Sequence, residues 1–292
     1  MSQKVPKTAA EMVAELLDVL DLERIEENLF RGQNTADAEF RLFGGQVIAQ
    51  ALVAASRTVD DDRPPHSLHA YFMRPGAIDV PVVYQVERDR DGRSFSTRRV
   101  VAIQNGRPIF NMAVSFQVEE EGWEHQIEMP VVPNPEDLPP ETEWRKSWSH
   151  MVPEKFRHRF TRERSIDFRR VDPAPPGEIG PPEQQVWFRV SGDVPDDAAV
   201  HRCLLAYASD MTLLSTCQRP HGVKWFSGEA QVASLDHALW FHAPFRADEW
   251  MLYVQDSPRA SGARGLNRGS IYSRDGILVA SVAQEGLIRP RS

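Results

Sequence analysis

Three polar residues in the second half of this chain stand among apolar neighbours, and their types suit proton transfer and the holding of a water molecule. Asp210 lies in LLAYASDMTLL (204–214), flanked by Ala206, Tyr207, Ala208, Met211, Leu213 and Leu214. The pattern predicts the first turn of a helix there, where free N–H groups and the helix dipole favour a carboxylate. A simple capping role is one alternative. A partly desolvated carboxylate that acts as a base or orients a water is the other. Gln284 sits in a strand over 278–288, and period two places it on one face with Leu278, Ala280 and Val282. A core-facing amide needs partners, whether backbone groups or a site. Ser234 opens SLDHALWF beside Asp236 and His237. A serine nucleophile wants the sharp G-x-S-x-G elbow, which is absent. Strand alternation would also turn Ser234 and Asp236 one way and His237 the other. A Ser-His-Asp triad is therefore disfavoured, and a hydroxyl that binds a water or a polar side chain is the better reading. His66, His69, His237 and His242 are expected to be structural imidazoles. Arg259, Arg264 and Arg268 form a basic cluster, either solvated or placed to contact ligand phosphates.

The elements that must position these residues occur twice. LFGGQVIAQAL, SLHAYFMRPG and RRVVAIQNGRPIFNMAVSF in the first half correspond to LLAYASDMTLL, SLDHALWFHAPF and NRGSIYSRDGILVASVAQEGLI in the second. Each set predicts a helix, a strand, and a hairpin turning at Gly106 or Gly276. In this alignment Asp210 matches Gly45 and Gln284 matches about Val114, so one copy is polar where the other is not. Further elements are a helix over 8–31 opened by a Thr8/Glu11 capping box, a helix from about Phe43, and strands over 67–73, 80–88, 95–104, 108–118 and 185–190. Gly44-Gly45 leaves backbone N–H groups uncovered at the helix start. Residues 119–182 hold half of the 22 prolines, which excludes long regular elements, yet carry Trp144, Trp148, Phe156, Phe160 and Phe168. They are expected to form a connector packed across the two lobes, with a short helix near 141–152. One long helix against an antiparallel sheet per copy is an α+β arrangement, and pairing the two sheets edge to edge would protect both edges.

With 292 residues the chain suits two domains. A net charge of -8 argues against non-specific nucleic-acid binding, though not against a local basic patch. No apolar run is long enough to span a membrane. The first residues lack the apolar core of a secretory signal, and IRPRS is not a peroxisomal address. Cys203 and Cys217 are expected to be reduced apolar filler, which fits a cytoplasmic location. No Cys/His spacing suggests zinc, no P-loop or dinucleotide fingerprint is present, and no cofactor is expected.

LFRGQ, FGGQVIAQAL, HSLHAYFMRPG, AIQNGRPIF, QVWFRVSG, LLAYASDM, SLDHALWFH, ARGLNRG and VASVAQEGLIR together resemble the acyl-CoA thioesterase II family over roughly 8–290. The resemblance implies a double hotdog fold, with hotdog domains at 8–118 and 183–290 around the 119–182 connector. It implies hydrolysis of acyl-CoA thioesters, medium- to long-chain ones expected, to free acid and CoA. It also implies a site of Asp210, Gln284 and the residue before the Leu-Asp-His triplet, which is Ser234 where the family has Thr. Serine keeps the hydroxyl and loses the methyl that stiffens χ1. On this reading Asp210 takes a proton from a water held by Gln284 and Ser234. A backbone N–H near Asp210 or near Gly45 serves the oxyanion. Met211, Trp240 and Phe241 are candidates for the acyl tunnel, and Arg264 and Arg268 for CoA contacts. A homo-oligomer formed through the sheets is implied as well. Two other readings compete. One is a hotdog enoyl-CoA hydratase, disfavoured because no His follows Asp210 in its helix. The other is a non-catalytic acyl-CoA sensor, which would not need a buried Asp–Gln pair.

Overall fold

The computed structural model describes residues 7–34, 41–224 and 226–291. The readings of the two termini rest partly on residues 1–6 and 292, which lie outside the described residues. Helix α1 (Ala9–Leu20) starts on the expected capping box, with Thr8 and Glu11 bonded reciprocally. It stops eleven residues before the expected end at 31. After Leu20 the apolar stripe runs out, and the chain forms a short hairpin of β1 (Glu23–Glu26) and β2 (Leu29–Gly32). Then follow α2 (Gly44–Ser56), β3 (Pro65–Phe72), β4 (Val82–Asp91), β5 (Phe95–Gln104) and β6 (Arg107–Gln117). Asn105-Gly106 makes the β5–β6 turn with φ of 49° and 72°, the left-handed pair that a two-residue hairpin requires.

The connector holds more regular structure than its prolines suggest. It forms α3 (Glu141–Trp148), α4 (Glu154–Thr161) and β7 (Ile166–Arg170). Proline breaks helices internally but suits their starts, and Pro140 and Pro153 sit at the N-caps of α3 and α4. The second copy runs β8 (Glu183–Val190), α5 (Ala198–Ser209), α6 (Leu213–Thr216), β9 (Ala230–Ser234), β10 (Asp236–Phe241), β11 (Met251–Ser261), β12 (Arg264–Ser273) and β13 (Leu278–Pro290).

All these strands join one antiparallel sheet in the order β1-β2-β4-β5-β6-β3-β10-β13-β12-β11-β8-β7, with β9 beside the far end of β13. The two halves of that order mirror each other, so β3 and β10 meet at the centre, as the edge-to-edge expectation required. Each half wraps one helix, α2 or α5. Ile48, Ala51, Leu52, Ala54 and Ala55 of α2 are 0% exposed. Burying a side chain such as Ile48 or Leu52 contributes about 2 kcal/mol, and the alanines allow close approach.

The two helices pack against each other, running in opposite directions. Gly44 and Gly45 at the start of α2 meet Asp210 and Tyr207 at the end of α5, while Arg57, just past the end of α2, acts on Cys203. A Cβ on Gly45 would collide with the Tyr207 carbonyl oxygen, so this crossing requires glycine. Both cysteines are buried and free, and burial raises the Cys203 thiol to about 12. No helix among the described residues is long and apolar enough to cross a membrane.

Candidate active site

Asp210 does not open a helix. It caps the C-terminus of α5, so the sequence alignment of Asp210 with Gly45 has the helix out of phase. A C-terminal position reverses the local field. The dipole of its own helix disfavours a carboxylate there, and the compensating field comes from α2, whose first turn faces it. A Cβ on Gly44 would stand 2.6 Å from Asp210 Oδ2, so a carboxylate oxygen lies directly against the α2 backbone.

Gln284 is 0% exposed on β13, and its Nε2 donates to Asp210 Oδ1 at 2.6 Å. Two residues 74 apart in sequence thus meet at the mouth of the α2/α5 crossing. The Gln284 Oε1 is buried with no hydrogen-bond partner among the described residues, leaving an acceptor unpaired beside the carboxylate. Ser234 ends β9 opposite Gly286. It therefore shares the inner face with Gln284, one diagonal step away.

The strand carrying Ser234 is not regular. Between the Ser234↔Gly286 and Ala238↔Ala283 pairs it spends four residues against three on β13, a bulge at Leu235 that reverses which side chains face inward. Contrary to simple alternation, His237 joins Ser234 on the inner face and Asp236 points away. His237 is 0% exposed, and its Nε2 lies 2.9 Å from Ser209 Oγ. The Ser209 hydroxyl proton goes to the Ala206 carbonyl, so the hydrogen-bond network assigns the imidazole proton to Nε2. Tyr253 donates to the Ser209 carbonyl at 3.0 Å. His237 and Tyr253 together fix the last turn of α5 and hence Asp210.

Past Asp210, Thr212 has φ of 75°, a strained conformation for a β-branched residue. Two buried amides hold it: Gln184 Nε2 donates to the Thr212 carbonyl at 3.0 Å and Gln255 Nε2 to its hydroxyl at 2.6 Å. None of this support was read from the sequence. A single histidine or glutamine on an apolar face does not reveal which helix end it will meet.

Burial drives His237 down to about 4, against the opposing pull of Asp210. An unfolded histidine titrates near 6.5. As pH falls from about 6.5 to about 4, the unfolded chain takes up a proton that the folded chain refuses, so stability declines across that window and is intact above it. The loss amounts to about 3 kcal/mol. Urea unfolding at pH 7, 5.5 and 4.5 is expected to show a shallower decline for His237→Gln than for the parent. Equal slopes would contradict the assignment.

Asp210, Met211 and Thr212 line a cavity of about 600 Å³ together with Phe43, Tyr207 and Arg164. Helix α1 supplies Met12, Leu16 and Val19 to its wall. Of the tunnel candidates, Met211 is therefore at the cavity. Trp240 is on the outer face of the sheet, its ring against His69, because the Leu235 bulge sends even-numbered residues of β10 outward. Phe241 points inward and stacks on Phe245. Gly45 is at the helix crossing. Arg264 and Arg268 are brought to neither Asp210 nor the cavity. Arg264 pairs with Glu285, and Arg268 pairs with Asp256 through two bonds, all on the surface. Among the described residues no cluster of His, Cys, Asp or Glu is arranged to hold a metal.

A two-lobed antiparallel sheet wrapped around two paired central helices is a double hotdog arrangement. The profile described as acyl-CoA thioesterase matches residues 155–287, and that of the acyl-CoA thioesterase N-terminal domain matches 33–117. The chain is 42% identical to acyl-CoA thioesterase 2 of Haemophilus influenzae, over 96% of this chain and 99% of that protein. It is similar to the crystal structure of an acyl-CoA thioesterase II, TesB2, from Mycobacterium marinum, with 46% identity, a TM-score of 0.78, and 95% and 99% of the two chains covered. At 21% identity, a hot dog fold protein of Alicyclobacillus acidocaldarius shares the fold with a TM-score of 0.75 over 95% and 98%. The chain belongs to the acyl-CoA thioesterase family and is a thioester hydrolase.

Proposed function

We propose that the chain hydrolyses medium- to long-chain fatty acyl-CoA, with Asp210 as the base and Gln284 and Ser234 as the groups that hold the attacking water. The observation that carries this reading is the buried Gln284 amide on the Asp210 carboxylate, with its Oε1 unpaired. A water that donates one proton to Asp210 and the other to Gln284 Oε1 presents a lone pair to the thioester carbon. Attack forms a tetrahedral oxyanion, and the uncovered N–H groups of α2 around Gly44 and Gly45 are its donors. Collapse breaks the C–S bond, and the proton taken by Asp210 passes to the departing CoA sulfur. No covalent acyl-enzyme forms.

The cavity of about 600 Å³ is of the size that encloses a sizeable organic ligand, and Met12, Leu16, Val19 and Met211 give an alkyl chain an apolar wall within a lining that also carries Arg41, Arg145, Arg159, Arg162 and Arg164. We place this enzyme in the cytoplasm, as a homo-oligomer joined through the outer face of the sheet, where Tyr71 is 62% exposed. We divide the chain into hotdog domains at 8–118 and 183–290 around a connector at 119–182, which lends β7 to the edge of the second half's sheet. A hydratase would need a histidine that reaches substrate with a proton, and His237 is fully buried with its Nε2 committed to Ser209.

Thiol release measured across acyl chain lengths tests the reading. Turnover is expected to peak at medium to long chains, and turnover confined to short chains would contradict it. Ser234→Ala is expected to lower kcat about tenfold, the worth of one hydrogen bond to the water. Ser234→Thr keeps the hydroxyl and is expected to match or exceed the parent. Equal activity in all three would remove Ser234 from the site.

A further inference from the structure

Beside the cavity at Asp210 lies a second one, of about 360 Å³, roofed by the connector. The two share Arg145, Arg159, Arg164 and Thr212 as wall residues. The second cavity is strongly basic in a chain of net charge -8. Six basic residues line it, with Arg170, Arg219 and Lys224 added to the three shared arginines, against Glu141 and Glu178 among the described residues. Glu141 is already bonded to Arg145 and Arg170, which commits it away from Arg219 and Lys224.

Two buried donors there lack partners among the described residues, Arg164 Nε and Trp144 Nε1. Unpaired buried donors are rare in folded proteins. Burial, and next Arg145 beside it, pull Arg164 down to about 9, the sign of a cation short of counter-charge. An aromatic wall completes the cavity: Trp144 lies under the Arg170 guanidinium at 4.8 Å. An alkyl chain gains nothing from such surroundings, whereas a polyanion with a planar base gains charge-assisted bonds and stacking.

We propose that this connector cavity binds the phosphate-bearing nucleotide end of coenzyme A, with Arg164, Arg219 and Lys224 on the phosphates and Trp144 beside the base. The inference rests on the acyl-CoA reading of the Asp210 site. It moves phosphate recognition from Arg264 and Arg268, which are ion-paired on the surface, to the cavity between the proline-rich connector and the segment after α6. It also gives that connector a function: it holds the nucleotide while Thr212, shared by both cavities, marks the passage toward the thioester at Asp210.

The test compares the parent with Arg164→Gln and with the double variant Arg219→Gln/Lys224→Gln, whose residues lie in and just past the 3-10 turn that follows α6, and thermal melting verifies that each variant folds. Calorimetry reads the binding of free CoA, of dephospho-CoA and of pantetheine. Kinetics compare acyl-CoA with the same acyl group on pantetheine. A charge-assisted bond is worth enough to change affinity about tenfold or more. The double variant is therefore expected to lose about tenfold or more in CoA affinity and to raise KM for acyl-CoA similarly, with kcat unchanged. Its kcat/KM for acyl-pantetheine, and its pantetheine binding, are expected to equal the parent's. Undiminished CoA affinity in both variants would overturn the proposal. So would an equal loss on acyl-pantetheine, which would mean a general structural defect. The binding arm needs no turnover, so a failure of the Asp210 chemistry would register separately, as an active Asp210→Asn enzyme.

Discussion

Replacing Asp210 by Asn is expected to lower kcat for acyl-CoA by about two to four orders of magnitude, the usual contribution of a general base. Asparagine is nearly isosteric, and its Oδ1 can still accept from Gln284 Nε2, the bond that measures 2.6 Å in the parent. The geometry should persist while the proton acceptor is lost, so KM should move little. The effect on stability should be small. A carboxylate at the C-cap of α5 faces the negative end of its own helix dipole and the positive end of α2, so its neutral replacement is expected to leave Tm nearly unchanged. Thiol release and thermal melting of the same preparation check both halves. A variant with parental kcat would remove Asp210 from the chemistry.

Gly45→Ala is expected to destabilise the fold through a single added methyl. Alanine is the better helix former by about 1 kcal/mol, so at an ordinary helical position the change would stabilise. At Gly45 the new Cβ would press on the Tyr207 carbonyl oxygen and on the Phe43 ring. The ring can turn, but the carbonyl belongs to the backbone of α5 and can be relieved only if the two helices separate. Overpacking of this kind costs about 1–3 kcal/mol or more, and the separation would draw the α2 N-terminus away from Asp210. Net destabilisation of about 2 kcal/mol is expected, with a fall in kcat beyond that of a merely less stable enzyme. Melting temperature and thiol release at a temperature where both forms stay folded would show it. An unchanged Tm would mean that the crossing tolerates a side chain.

The duplicated plan was legible because hairpin turns and apolar strands recur in order, and because Asn105-Gly106 and Asp275-Gly276 state their turn chemistry locally. The identities of Asp210, Gln284 and Ser234 could be singled out because polar groups interrupt apolar runs. Their arrangement could not. The apolar period of LLAYASDMTLL gives a helical face but no direction of ending, so Asp210 was placed at the wrong terminus. The better signal lay upstream: Asp197 precedes a good helix-forming run and caps α5 by accepting from the Ala199 N–H. Ser234 and His237 were assigned to opposite faces because alternation assumes an unbroken ladder, and the Leu235 bulge is set by pairing with β13, far away in sequence. Strand β7 and the basic cavity were hidden for a similar reason. Scattered connector arginines become a cluster only when α3, α4 and the loop after α6 pack together.

A single-turnover reaction in water enriched in oxygen-18, with enzyme in excess over acyl-CoA, distinguishes attack by water from attack by the protein. Direct attack by a water activated at Asp210 predicts one labelled oxygen in the released fatty acid and none in the protein. Label in the Asp210 carboxylate, or an acyl group trapped on Asp210 or Ser234, would show that the protein itself is the nucleophile and would contradict the account.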